Sequence, residues 1–190
     1  GLFCVLFNKR SGSTLLCDSL YRRGLPIPPQ VEILDPTLIE QVVREHKIPS
    51  FTDYFLSTIL GWTRSGMVGF KAGASQLLWL EERAYLSCFS SLRLLAMRRR
   101  DKVAQAVSLY LAQQSGHWHS GMQPARPPAD VPYDARKIQL ALNTVSAMDC
   151  AIDDFANARG LPLLALEYED LLARPQNLLS ECCEFLDWRE

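Results

Sequence analysis

The segment from residue 2 to residue 24 constrains the fold of this chain more than any other. It begins with a continuous apolar run, Leu2–Phe7, which is typical of a strand buried on both faces of a sheet. Polar residues and Gly12 follow, and Ser13 and Thr14 then offer a cap for a helix that ends near Gly24. A strand, a short loop and a helix in this order form one βα unit of an α/β protein.

The rest of the chain continues the alternation of strands and helices. Further apolar runs at 67–71, 92–97 and 163–166 predict three more strands. Helical patterns lie at about 36–46, 51–64, 101–114, 134–158 and 177–186, with a helix or loop at 75–82. Four prolines between 123 and 132 predict a loop or lid. Strands separated by helices need crossover connections, so we expect an α/β fold with a parallel sheet.

Composition limits the function classes. The 190 residues fit one domain spanning 1–190. A formal net charge of -1 argues against a protein that coats nucleic acid, so an anion site must be local. The chain has neither the roughly 18 consecutive apolar residues of a membrane span nor a signal-peptide pattern, and we expect a cytoplasmic protein. The six cysteines lack metal-binding spacing, so we expect reduced thiols and no metal site.

Residues 9–14, Lys-Arg-Ser-Gly-Ser-Thr, join the first strand to the first helix. Backbone N–H groups at a helix start lack partners, and the helix dipole favours anions there. Gly12 lets the backbone approach a phosphate, Ser13 and Thr14 add hydroxyl donors, and Arg10 adds a positive fork. The nucleotide-kinase form of such a loop needs G-x-x-x-x-G-K-[ST], whose first glycine and lysine are missing here. The loop predicts a phosphate site, with a capped helix beside a basic residue as the alternative.

This loop resembles the 5′-phosphosulfate loop of sulfotransferases that use 3′-phosphoadenosine-5′-phosphosulfate, above all that of the Stf0 family. The similarity lies in residues 10–16, Arg-Ser-Gly-Ser-Thr-Leu-Leu. It implies a three-layer αβα sandwich with a central parallel sheet, like that of the P-loop NTPases. It also implies that the 5′-phosphosulfate is held by Arg10, Ser11, Gly12, Ser13 and Thr14.

A second cationic segment ends the third predicted strand, where open α/β sheets bind ligands. Arg98, Arg99 and Arg100 are consecutive there, and a solvated basic patch is the alternative. The interval from Arg100 to Ser108 equals the spacing with which sulfotransferases hold the donor's 3′-phosphate, and residues 99–108 resemble a segment of the Stf0 family that includes its Gln-Ala-x-Ser core. The superfamily spacing selects Arg100, whereas the position before the arginine-aspartate pair selects Arg99. Both stay open.

Sulfuryl transfer needs a base for the acceptor's proton and cations that offset developing charge. The Stf0 family has a glutamate in the extended segment after the first helix, and Glu32 is the only carboxylate in residues 24–34. Lys71, at the end of the second strand, matches a family lysine and would stabilise charge or steer the acceptor; a surface lysine is the alternative. The resemblance thus implies Glu32, Arg10 and Lys71 as catalytic residues.

Residues 113–119 resemble the Gln-Thr-Gly-x-Trp segment of the family. Trp118 offers a flat face for a sugar ring, with plain packing as the alternative. Acceptor binding is therefore expected at Glu32, Trp118 and His119, and either His117 or His119 could replace Glu32 as the base because neutral imidazole suits that role. Residues 166–172 resemble a Tyr-Glu-Asp-Leu segment found widely in sulfotransferases, which we interpret as a strand end before the last helix.

The resemblance implies a sulfotransferase that moves a sulfuryl group from 3′-phosphoadenosine-5′-phosphosulfate to a hydroxyl of a carbohydrate or glycolipid, without a metal. Known family members sulfate trehalose and dimerise, so a homodimer is expected. Family chains continue further, and 1–190 is expected to lack a C-terminal segment. Two alternatives stay open: an ATP-dependent small-molecule kinase, which would need magnesium, and a non-catalytic nucleotide-binding module, which would bind the donor without turnover.

Overall fold

The computed structural model describes residues 1–29, 31–118 and 122–189. Within these ranges four strands form one sheet: β1 (Leu2–Phe7), β2 (Val68–Ala72), β3 (Leu92–Arg98) and β4 (Leu163–Glu167). All neighbouring strands are parallel, in the order β2-β1-β3-β4. The parallel sheet that the alternation predicts is therefore confirmed.

The described ranges also contain eight α-helices. They are α1 (Ser13–Arg22), α2 (Pro36–His46), α3 (Phe51–Trp62), α4 (Ala74–Glu82), α5 (Lys102–Ser115), α6 (Ala135–Arg159), α7 (Tyr168–Ala173) and α8 (Pro175–Leu186). Short 3-10 turns occur at Tyr85–Cys88 and Pro128–Asp130. No helix among the described residues has both the length and the apolar character needed to span a membrane.

The core has two sides because successive residues of a strand point to opposite faces. Leu2, Cys4 and Leu6 of β1 pack into one cluster with residues of α3, α4 and α6. Phe3 and Val5 pack into the other with residues of α1, α7 and α8. Both faces of β1 are buried, which explains its continuous apolar run and confirms the three-layer αβα sandwich.

Two local predictions were wrong in detail. Ser13 and Thr14 do not cap α1, because Gly12 occupies the N-cap with a φ of 89° and no side-chain cap hydrogen bond is present there among the described residues. The Tyr-Glu-Asp-Leu segment is not merely a strand end: it forms the separate helix α7, and α8 begins directly afterwards at Pro175. Proline suits this first position because its missing N–H would be unpaired there anyway.

The topology places a crevice at the carboxyl end of β1. The chain goes from β1 to β2 on one side and then to β3 on the other side of β1. Open α/β sheets bind ligands outside the carboxyl ends of strands, at such a reversal of strand order. Residues that follow or end the four strands, among them Arg10, Lys71, Arg99 and Tyr168, therefore come from distant parts of the sequence to one edge of the sheet.

Candidate active site

The β1–α1 loop, residues 8–12, has an unusual backbone. Arg10 and Gly12 both have positive φ, 61° and 89°, and the Ser11 N–H donates to the Asn8 carbonyl at 3.1 Å. Left-handed residues alternating with ordinary ones turn successive N–H groups toward one side and form anion-binding concavities. A left-handed non-glycine residue costs roughly 1–2 kcal/mol, so the surrounding structure must hold Arg10 in this conformation.

Gly12 is required by its contacts as well as by its φ. A Cβ at this position would lie 2.4 Å from Cδ2 of Tyr168, the first residue of α7. The aromatic ring therefore rests directly on the loop backbone. This contact connects the ends of β1 and β4 and leaves no room for a side chain between them.

The start of α1 offers unpaired donors. Among the described residues its first turn has neither an acidic side chain nor a side-chain cap, so the free N–H groups of a helix start are available to a ligand. The Ser11 hydroxyl is fully buried, and within the described part of the chain it has no hydrogen-bond partner. Buried polar groups are normally paired, and an anion at this helix start would pair these donors.

A cavity of about 950 Å³ opens beside this loop, large enough for a nucleotide-sized ligand. Nine of the residues that the sequence singles out line it: Arg10, Gly12, Ser13, Thr14, Glu32, Lys71, Arg99, Ser108 and Trp118. Ser11 is fully buried and is not among the described lining residues. Arg100 and His117 are not among its described lining residues, and His119 lies outside the residues that the structure describes.

The Arg10 side chain joins the two expected anchors. Its Nε donates to Ser108 Oγ on α5 at 2.9 Å, and its guanidinium also donates to the Trp118 carbonyl. Burial and the nearby charge of Arg99 lower the pKa of the Arg10 guanidinium, which still stays protonated at neutral pH. In the described part of the chain no carboxylate pairs with Arg10 or Arg99, so two neighbouring cations face the cavity without a counter-charge.

The geometry favours Arg99 over Arg100 as the second anchor. The Arg99 guanidinium lies 4.9 Å from the centre of the Tyr168 ring, and its buried Nε has no partner among the described residues. The Arg100 guanidinium instead pairs with Asp170, and its backbone N–H donates to Glu169 at 3.1 Å. The side-chain hydrogen bond between Arg100 and Asp170 raises the pKa of Arg100 and lowers the pKa of Asp170. Arg100 is thus bound to residues of α7, whereas Arg99 lines the cavity.

Lys71 connects the loop to the predicted base. It is only 4% exposed, and its Nζ lies 2.8 Å from Glu32 Oε1 and 2.9 Å from Thr14 Oγ1. The pair satisfies an ammonium ion that would be costly to bury alone. Glu32 is 39% exposed and so can be reached from the cavity. Burial raises the pKa of the neighbouring Cys17 thiol to about 12, which makes this cysteine a poor nucleophile.

The turn that bears Glu32 is fixed by hydrogen bonds that the sequence did not reveal. The Tyr54 hydroxyl donates to the Ile33 carbonyl at 2.8 Å, and the Gln76 side chain donates to the Leu34 carbonyl at 3.0 Å. The Asp35 N–H closes the turn on the Glu32 carbonyl at 2.8 Å. No motif marks Tyr54 or Gln76, because their role appears only when α3 and α4 pack against this turn.

A buried polar network holds the β1–α1 loop from below. The Asn8 side chain donates to the Val145 carbonyl at 2.6 Å and to Asp149 Oδ1 at 2.8 Å, both on α6. Lys102, the first residue of α5, pairs with the other oxygen of Asp149. The fully buried Gln105 donates to the Lys9 carbonyl at 2.8 Å. Of this network, Asn8, Val145 and Asp149 belong to no sequence motif, whereas Lys102 and Gln105 lie in the segment 99–108.

The described residues contain no group of three or more side chains able to hold a metal ion.

The site combines three features on one edge of the αβα fold. They are a phosphate-type loop after β1, cationic side chains after β3 and a carboxylate-lysine pair beside them. This combination is suited to transferring a group from an anionic donor. The sequence profile described as Stf0 sulphotransferase matches residues 74–190, more than half of the chain. The chain therefore belongs to the Stf0 sulphotransferase family.

The fold is also similar to a solved structure. A crystal structure of a sulfotransferase from Alicyclobacillus acidocaldarius superposes with a TM-score of 0.61 at 15% sequence identity, covering 99% of this chain and 81% of that one. No curated protein matches this sequence. The family match includes the positions of Arg99, Ser108 and Trp118, whereas Arg10, Glu32 and Lys71 precede it.

Proposed function

We propose that this protein, a sulfotransferase by family, transfers a sulfuryl group from 3′-phosphoadenosine-5′-phosphosulfate to a hydroxyl of a carbohydrate or glycolipid. One observation supports this most: Arg10 with its loop and Arg99 with Ser108 line the same cavity. A donor with separate anionic groups at its 5′ and 3′ ends fits two cationic anchors better than a ligand with one phosphate does.

The 5′-phosphosulfate would be held at the start of α1. Among the described residues, the N–H groups of the first turn have no side-chain cap and supply donors there, and Gly12 puts no side chain between the loop backbone and the Tyr168 ring. The 3′-phosphate would be held by Arg99 and Ser108, since the buried Arg99 Nε has no partner in the described part of the chain. Arg10 belongs to the β1–α1 loop and donates to Ser108, so its side chain would lie between the 5′-phosphosulfate and the 3′-phosphate.

The donor supplies a sulfur atom that accepts an oxygen nucleophile. The acceptor oxygen forms a bond to that sulfur while the bond from sulfur to the phosphate oxygen breaks, which releases 3′-phosphoadenosine 5′-phosphate. Glu32 takes the proton of the acceptor hydroxyl. Lys71 lies between Glu32 and Thr14, where its positive charge offsets negative charge on the transferring group.

Titration calorimetry tests the donor site directly. The protein should bind 3′-phosphoadenosine 5′-phosphate roughly 10- to 100-fold more tightly than adenosine 5′-phosphate, because the 3′-phosphate adds charged hydrogen bonds. Equal affinities would remove the second anchor from the proposal.

Two adjacent arginines provide a matched pair of variants. Arg99→Ala should bring the affinity for 3′-phosphoadenosine 5′-phosphate close to that for adenosine 5′-phosphate. Arg100→Ala should keep the difference, because the Arg100 guanidinium pairs with Asp170. The reverse result would assign the 3′-phosphate to Arg100.

A transfer assay tests the β1–α1 loop. Arg10→Ala should abolish turnover, and full activity of this variant would contradict the assignment of the loop.

Three further expectations are part of the proposal: residues 1–190 act as one domain, the protein works in the cytoplasm, and, as the family resemblance implies, it forms a homodimer. The single sheet and the cavity built from all four strand ends support the first of these. Sedimentation velocity would test the last, and the mass of one chain would contradict it.

A further inference from the structure

The walls of the cavity around Glu32 point to the kind of acceptor. We infer that the acceptor bears an alkyl or similar apolar arm next to the hydroxyl that is sulfated, as a glycolipid does and a free sugar does not. This inference rests on the sulfuryl transfer proposed above and narrows its acceptor.

Apolar side chains flank the Glu32–Lys71 pair. Val31 precedes Glu32, and Leu15 follows Thr14, which binds the same Lys71 ammonium. Both side chains line the cavity, with exposures of 38% for Val31 and 42% for Leu15. Exposed apolar surface that continues into a polar site is typical of a surface that binds an apolar group.

Three further apolar side chains line other parts of the cavity wall. Leu38, in the first turn of α2, lines the cavity, as do Trp118 and Met122 beyond the end of α5. Trp118 is 39% exposed and Met122 is 38% exposed, so part of each large side chain stays accessible to a ligand. The Arg10 guanidinium holds the Trp118 carbonyl, which fixes this wall relative to the β1–α1 loop.

Two carboxylates that line the α1 and α2 side of the cavity are each partly engaged within the chain. The Asp35 carboxylate accepts the N–H groups of Thr37 and Leu38 at 2.8 and 3.1 Å and caps α2. Asp18 pairs with Arg22 at 2.9 Å. A free sugar would place many hydroxyls against this side, and hydroxyls that lose water without gaining partners weaken binding. An alkyl arm gains from the same surface.

Octyl and methyl β-D-glucoside are suitable probes, because they share a head group and differ only in the arm. Their affinities are measured by calorimetry on protein saturated with 3′-phosphoadenosine 5′-phosphate, below the micelle concentration of the octyl compound. Each fully buried methylene adds about fourfold to affinity, so the octyl compound should bind at least about tenfold more tightly. Equal affinities of the two glucosides would overturn the inference.

Two valines provide a matched control for nonspecific detergent binding. Val31→Thr keeps the side-chain shape but adds a hydroxyl inside the cavity, and it should weaken octyl binding roughly threefold or more while sparing methyl binding. Val103→Thr makes the same change at a 61% exposed position of α5 that is not among the described lining residues, and it should alter neither. Equal losses in both variants would also overturn the inference.

The donor titration separates this inference from the proposed function. If 3′-phosphoadenosine 5′-phosphate binds with its preference over adenosine 5′-phosphate but the two glucosides bind equally, the apolar arm is wrong and the donor site stands. If 3′-phosphoadenosine 5′-phosphate does not bind to the unchanged protein, both are overturned.

Discussion

Replacing Asp149 by asparagine should loosen the β1–α1 loop and weaken donor binding. The side chain of Asp149 is 13% exposed and accepts hydrogen bonds from the Asn8 amide and the Lys102 ammonium. Asparagine has the same shape but only one acceptor oxygen, so its NH2 group must face one of these two donors. The variant therefore removes one buried hydrogen bond without opening a cavity.

The size of the effect follows from the exposure of the partners. Losing a hydrogen bond that involves a charged group costs about 1.5–3 kcal/mol, and Lys102, 33% exposed, can recover part of this by turning to water. We expect the free energy of unfolding to fall by about 2 kcal/mol, which lowers Tm by about 4–8 °C in a chain of this size. A looser loop must be ordered again when the donor binds. If this ordering costs about 1.4 kcal/mol of the lost stability, the donor affinity falls about tenfold.

The assay combines thermal unfolding with titration of 3′-phosphoadenosine 5′-phosphate. Asp154→Asn is the matched control, because Asp154 lies on the same helix α6 but is exposed. It should change neither Tm nor donor affinity by much. The double variant with Asn8→Ala should show that the two losses are not additive, since Asn8 and Asp149 belong to one hydrogen-bond network. Equal donor affinity in Asp149→Asn and Asp154→Asn would refute the role of the network.

Three further changes test the site. Gly12→Ala should abolish donor binding because its Cβ meets the Tyr168 ring at 2.4 Å; Gly24→Ala, which has the same φ of 89° but open space around it, should keep that binding, and equal effects would contradict the contact. Glu32→Gln should lower kcat/KM roughly 10²- to 10⁴-fold in a transfer assay with unchanged donor affinity, and a retained rate would reject Glu32 as the base. The pKa of Asp170 is lowered in the folded protein, so its pairing stabilises the fold above the unfolded pKa near 4 and this contribution is lost as the pH falls further. Acid unfolding curves of Asp170→Asn should therefore depend less steeply on pH below 4 than those of the unchanged protein.

Most of the fold could be predicted from the sequence because its elements have strong local signals. The apolar run of β1 reflects burial on both faces, and the ends of α2 follow from Asp35, whose side chain caps it, and Lys47, which stops it in the left-handed region. The N-terminus of α1 could not be predicted in the same way. A serine and a threonine there suggest a cap, but the backbone turns at Gly12 and leaves the helix start to a ligand.

The candidate site could be predicted only in part, because some of its contacts join distant parts of the chain. The sequence supplied the β1–α1 loop and the arginine-serine interval, yet it could not choose between Arg99 and Arg100. The choice depends on Asp170, which pairs with Arg100 across 70 positions of sequence. Asn8 and Asp149 are 141 positions apart, and neither belongs to a motif. Only the packing of α6 under the loop brings these two residues together.

Helix α5 connects the two anchors that we propose for the donor. At its start Lys102 pairs with Asp149 beneath the loop, one turn later Gln105 donates to the Lys9 carbonyl, and one turn further Ser108 receives the Arg10 side chain. Helix α5, which bears the proposed 3′-phosphate ligand Ser108, is therefore joined to the β1–α1 loop and its supporting network at three successive turns. The distance between the anchors is set by one rigid element, and a donor whose anionic groups are separated differently would reach only one of them at a time.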